Sequence, residues 1–320
     1  MINVKCANSF KKWLFTEPYY ERIYDIIGRP RPSDVTLLDG LQILNKYSDK
    51  PFSTNIKLGC YHIINFSYKP KNIEIGDIPS KSWNYNFRDT IELMQKINQY
   101  NLFTSNLEYN ATIPTYYVMI PNEKMFDSVF SELNCIQNFS FTTSVSNKFQ
   151  FKNTRTNIYQ NFKEINNMIL RLDDSDRKFS TKLYISCINE CPIDGKLPND
   201  YIVDRLIELN NLKVDNMCLS DTCGSLNSND FKYIIKKLLY TGVNSNNLSL
   251  HIRVNPNNEE NAEKIFHIAL DHGIKNFNAS CFAICQDAMG RHRKFPNLAN
   301  DLSYELYYKF LKSYIVSKTD

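Results

Sequence analysis

Leu248-Ser249-Leu250-His251-Ile252-Arg253-Val254 alternates without a break: four aliphatic side chains fall on one face and Ser249, His251 and Arg253 on the other. That is the period of a β-strand. Working outward, β-branched or aromatic runs recur at 35–39, 72–75, 115–120, 136–143, 182–188, 217–222 and 277–284, which makes eight predicted strands. Amphipathic stretches follow them, starting near Ser53, Arg88, Asn122, Thr156, Pro198, Asn227, Asn258 and Asp301. Ser and Asn at several of these starts are good helix caps. Eight strand–helix units in a chain of 320 residues predict an α/β fold, a single (β/α)8 TIM barrel over 33–320 with an N-terminal extension over 1–32. A doubly wound sheet would use fewer strands. In a barrel, the polar face of the 248–254 run must point inward.

Composition narrows the function. At 42% hydrophobic and 22% charged residues, the chain can bury a large core. Thirty-eight Lys and Arg against 34 Asp and Glu leave a charge of only +4, well short of the basic stripe that phosphate-backbone binding needs, so no nucleic-acid partner is expected. No apolar run reaches the ~20 residues of a spanning helix, and residues 1–15 lack a signal-peptide core. A soluble, cytoplasmic protein with no membrane partner is the expectation. Nine cysteines, several inside apolar runs, read as reduced thiols. Only nine glycines are present, and neither GxGxxG nor a P-loop can be written.

In a barrel, chemistry gathers at the C-terminal ends of the strands. Asp39 ends the first predicted strand in Val35-Thr36-Leu37-Leu38-Asp39-Gly40-Leu41-Gln42, Glu74 lies at the end of the second, and Asp221 ends the sixth. Three acids at strand ends suit a hard cation such as magnesium or manganese. An inward His251 is either a metal ligand or a hydrogen-bonded core histidine.

Val35 to Gln42 resembles the first-strand signature of the 3-hydroxy-3-methylglutaryl-CoA (HMG-CoA) lyases, within the wider DRE-TIM group of metal-dependent lyases and acyltransferases. The similarity continues in Ile73-Glu74 with Ser80 and Trp83, and in Ile120-Pro121-Asn122-Glu123-Lys124-Met125-Phe126. It runs on through Ser186-Cys187-Ile188-Asn189-Glu190-Cys191-Pro192-Ile193-Asp194-Gly195-Lys196, Leu219-Ser220-Asp221-Thr222-Cys223-Gly224, His251 and Asn297-Leu298-Ala299. The resemblance implies a pyruvate carboxyltransferase-type barrel with Mg2+ or Mn2+ and an acyl-CoA substrate, cleaved at a carbon–carbon bond to acetyl-CoA and a keto acid. The cation would act as Lewis acid and template. It implies Asp39, His251 and Asn297 as metal ligands and Asp39 as a proton acceptor. Gln42, Glu74 and Asp221 would support the site or bind substrate. A homodimer is left open.

The departures from the family pattern matter as much. Leu38 stands where the family has an arginine, and Arg253 stands where it has a second metal-binding histidine. In the 282–290 loop, Asp287 falls closest to the family's acid cysteine, with Cys285 two residues away. Two expectations follow. In one, a weak or altered lyase uses Arg253 as its positive group and Cys285 or Asp287 as its acid. In the other, a barrel without catalysis or cofactor has exchanged its metal for a pairing of Arg253 with Asp39 or Asp221.

Overall fold

The computed structural model of the chain describes residues 31–40, 52–78, 87–105, 114–255, 257–281 and 300–319. Eight parallel strands close on themselves in chain order: β1 (Ser33–Asp34), β2 (Asn72–Asp77), β3 (Thr115–Ile120), β4 (Asn138–Ser144), β5 (Thr181–Ser186), β6 (Asn216–Ser220), β7 (Leu248–His251) and β8 (Asn276–Ala279). Ser33 and Asp34 pair with Asn72 and Ile73 on one side and with Asn278 and Ala279 on the other, which completes the ring. The expected (β/α)8 barrel is the fold.

Helices α1 (Thr54–Tyr68), α2 (Thr90–Ser105), α3 (Glu123–Val129), α4 (Asn147–Thr154), α5 (Ile158–Asp173), α6 (Asn199–Asn210), α7 (Ser228–Tyr240), α8 (Glu259–Asp271) and α9 (Tyr304–Thr319) lie between and after the strands. Several begin at polar caps that the sequence offers: Ser53, Asn122, Asn157 and Asn227 each accept a hydrogen bond from the amide three residues on. In α7, Phe231, Ile234, Ile235 and Leu238 recur at helical spacing and are all fully buried.

The barrel wall separates two chemistries. Ile73, Phe139, Phe141, Leu183, Ile185, Leu248 and Leu250 are fully buried and belong to one core with apolar side chains of the helices. Phe126 of α3 meets Phe139 edge-on, and Phe266 of α8 stacks on Phe277 at 4.1 Å. Each such side chain contributes about 1.5–3 kcal/mol by leaving water. The opposite parity carries Glu74, Ser140, Lys182, Tyr184, His251 and Asn278, which hydrogen-bond to one another inside the barrel.

Three expected boundaries are corrected. The first strand ends at Asp34, and residues predicted as strand form a π-helical turn over Thr36–Gly40. The cause is local: the Asp34 carboxylate accepts from the Thr36 amide at 2.9 Å and the Thr36 hydroxyl at 3.0 Å, and so bends the chain. The 248–254 run breaks after His251. Its last pair, Arg253–Val254, leaves the barrel and joins Asn300–Asp301 in an antiparallel ribbon. Consequently the last helix begins at Tyr304, not Asp301. The expected extension over 1–32 falls almost wholly outside the described residues. Among the described residues, no helix is long and apolar enough to cross a membrane.

Candidate active site

Asp39, His251 and Asp301 meet at the C-terminal mouth of the barrel, with one potential ligand atom from each lying within 4.8 Å of the others. Three different constructions bring them there. The π-helical turn after β1 carries Asp39, held by the Asp39 amide donating to the Val35 carbonyl at 2.8 Å. His251 is the last residue of β7. Asp301 sits opposite Arg253 in the two-residue ribbon, and the neighbouring Leu302 amide donates to the Ile252 carbonyl at 3.2 Å.

The imidazole Nε2 of His251 lies 2.9 Å from Asp301 Oδ1, while its Nδ1 lies 4.0 Å from Asp39 Oδ2. Asp301 is buried and Asp39 is 21% exposed, so the cluster opens to the mouth through Asp39. Burial pushes the Asp39 carboxyl up to about 6, and the facing charge of Asp301 adds to this; His251 and Arg253 act in the opposite direction. Two carboxylates that oppose each other's ionisation suit a hard divalent cation, and the imidazole of His251 adjoins them.

The other expected residues have their own places. Glu74 lies deeper, 1% exposed, where Ser140 donates to it at 2.8 Å, Tyr184 donates at 2.9 Å, and Lys182 pairs with it at 3.4 Å. The carboxylate of Asp221 accepts from the amides of Ser225 and Leu226, shaping the loop after β6. Burial pushes Asp221 up to about 6, against the lowering effect of those amides and of Arg253. Arg253 is half-buried beside the cluster, near enough for its charge to hold Asp39 and Asp221 below what burial alone would give. Leu38 is buried in the hydrophobic core. Gln42, Cys285, Asp287 and Asn297 lie outside the described residues.

Asp301 is absent from the residues picked out by sequence, because Asn297-Leu298-Ala299 drew attention three residues too early and 301 read as a helix start. Lys182 and Asn278 are likewise absent. Their signal was available: each shares its strand's inward parity, as His251 does.

No protein-family model and no curated protein matches the sequence. Solved structures do match. The HMG-CoA lyase from Brucella melitensis aligns over 88% of this chain and 90% of its own, at 18% identity and a TM-score of 0.70. The HMG-CoA lyase from Bacillus subtilis aligns over 89% and 85%, at 17% identity and 0.70. An HMG-CoA lyase from Acinetobacter baumannii, solved in complex with coenzyme A and 3-methylmalate, aligns over 88% and 83%, at 20% identity and 0.68. At this identity the likeness establishes the architecture: the chain folds as a (β/α)8 barrel of the kind that HMG-CoA lyases adopt.

Proposed function

We propose that the chain is a divalent-cation-dependent carbon–carbon lyase of the HMG-CoA lyase type, cleaving a 3-hydroxyacyl-CoA to acetyl-CoA and a keto acid. The observation that carries this reading is the convergence of Asp39, His251 and Asp301 at the mouth of a barrel whose solved likenesses are HMG-CoA lyases. The coenzyme A held by the Acinetobacter baumannii protein supports an acyl-CoA ligand.

Asp39 and Asp301 offer the carboxylate oxygens that would hold Mg2+ or Mn2+, with the imidazole of His251 adjoining them. When bound, the cation supplies Lewis-acid polarisation of the substrate's oxygens. Asp39, the most open of the three, is placed to accept the substrate hydroxyl proton. No arginine directly precedes Asp39: Leu38 stands there and is buried. Arg253 provides the positive charge at the mouth, where it favours a developing enolate. The acid that returns a proton to that enolate belongs to the 282–290 loop, with Cys285 and Asp287 as its candidates.

The competing barrel in which Arg253 takes the cation's place is less well supported. Asp221 is engaged by loop amides, and Asp39 faces His251 and Asp301. The test is a calorimetric titration of chelator-stripped protein with Mn2+ and Mg2+. Binding in the micromolar to low-millimolar range, lost in Asp39→Ala, is the expected result, followed by release of acetyl-CoA from a 3-hydroxyacyl-CoA. Absence of binding in the unsubstituted protein overturns the reading.

A further inference from the structure

Beneath the mouth, the barrel interior holds a chain of polar groups whose donors and acceptors can be assigned one by one. Lys182 is 4% exposed and can only donate. It pairs with Glu74 at 3.4 Å and donates to the Tyr184 hydroxyl at 2.8 Å and to Asn278 Oδ1 at 3.0 Å. Tyr184 spends its single proton on Glu74 Oε1 at 2.9 Å, so its oxygen accepts from Lys182 and from Asn278 Nδ2 at 3.2 Å. Both neighbours orient the Asn278 amide the same way, oxygen toward Lys182 and nitrogen toward Tyr184. That nitrogen also lies 3.2 Å from His251 Nδ1 and 3.5 Å from Cys218 Sγ.

His251 Nδ1 therefore faces a donor and must present its lone pair. Asp39, 4.0 Å away, is too far to compete for it by hydrogen bonding. A neutral imidazole then carries its one proton on Nε2, which points at Asp301 Oδ1 from 2.9 Å. We infer that Lys182, acting through Asn278, is a positioning residue that keeps the proton of His251 on Nε2, so that the imidazole orients Asp301 and does not ligate a cation. A protonated ring nitrogen has no lone pair to give a metal, and the other nitrogen is taken by Asn278. Among the described residues, cation binding then falls to the carboxylates of Asp39 and Asp301. The functional weight of this inference rests on the cation site proposed above, whereas the proton placement is measurable without it.

The geometry also names the change that would reverse the arrangement. In Asn278→Asp, a carboxylate could accept from both Lys182 and a protonated Nδ1. The proton would then leave Nε2 and free that lone pair. The experiment is long-range proton–nitrogen NMR of protein labelled with 15N in its five histidine rings, with His251 assigned by the signals lost in His251→Gln. In the unsubstituted protein, Nδ1 is expected to resonate as unprotonated and Nε2 as protonated, unchanged by excess MgCl2. Asn278→Asp is expected to exchange the two and to tighten Mn2+ binding at least tenfold. A proton on Nδ1, or loss of the Nε2 proton when MgCl2 is added, overturns the inference, and the unsubstituted protein alone decides this if Asn278→Asp fails to fold. If the expected pattern holds but neither Mn2+ nor Mg2+ binds, the positioning role stands and the cation-dependent reading falls.

Discussion

Gly76 interrupts β2 where its register with β3 shifts between Glu74 and Asp77. Its φ of +146° is one that side chains rarely adopt, and a Cβ there would lie 3.1 Å from Phe87 Cδ1 and 3.2 Å from Thr90 Oγ1. Thr90 cannot give way freely, because its hydroxyl donates to the carbonyls of Asp77 and Phe87 at 2.9 and 2.8 Å. Gly76→Ala is expected to cost about 1–3 kcal/mol of stability, measured by urea unfolding. The buried Glu74–Lys182 pair makes a second prediction at this scale. Lys182→Met strands a buried carboxylate and is expected to cost about 3–5 kcal/mol, while adding Glu74→Gln recovers most of that loss. A double-mutant cycle in urea checks it, and full additivity of the two changes would count against the pairing. Inward parity for Lys182 was legible from the alternation of its strand. Its partner was not, since Glu74 is 108 residues away in sequence and comes within reach only across the closed barrel.

Among the elements, helix starts are the most legible, because a cap is a contact between residues three apart. The Asn227 side chain accepts from the Asp230 amide at 2.9 Å at the head of α7. Asn227→Ala is expected to cost about 1 kcal/mol, and Asn227→Ser much less, in thermal or urea unfolding. Elements that depend on partners are read less well. Asn147–Thr154 buries only Phe149 and Gln150 and has almost no apolar stripe, so periodicity does not announce α4. The seventh run looks like one unbroken strand because its alternation continues through Val254. The break at Ile252 comes from the arrival of Asn300–Asp301, nearly fifty residues later, which offers Arg253 and Val254 a different partner. That ribbon is also the reason Asp301 escaped notice, for no local pattern distinguishes it from a helix cap.

Taken as a whole, the molecule holds several acids whose ionisation folding opposes. Burial pushes Asp34 and Asp221 up to about 6 and Asp77 up to about 7, against 3.8 for the unburied group. A raised acid stabilises the fold fully below its unfolded value, and that contribution is lost as pH climbs through the folded one, at ~1.4 kcal/mol per unit of difference. Chelator-treated protein is therefore expected to lose melting temperature between about pH 4 and 7. Asp77→Asn should remove the steepest share of that loss, and an unchanged pH profile in this variant would refute the assignment. The barrel is legible in the order of residues alone, because strand alternation, helical stripes and caps are written within a few residues of one another. It also marked Asp39, which the structure carries on the turn after β1, and His251, the last residue of β7. Assembly of the barrel brings Asp301 to them, ties Glu74 to Lys182 and sets Asn278 against His251. Each of those contacts links strands or ribbons far apart in the chain, and ring closure and register, which set their distances, are properties of the assembled barrel and of no local run of residues.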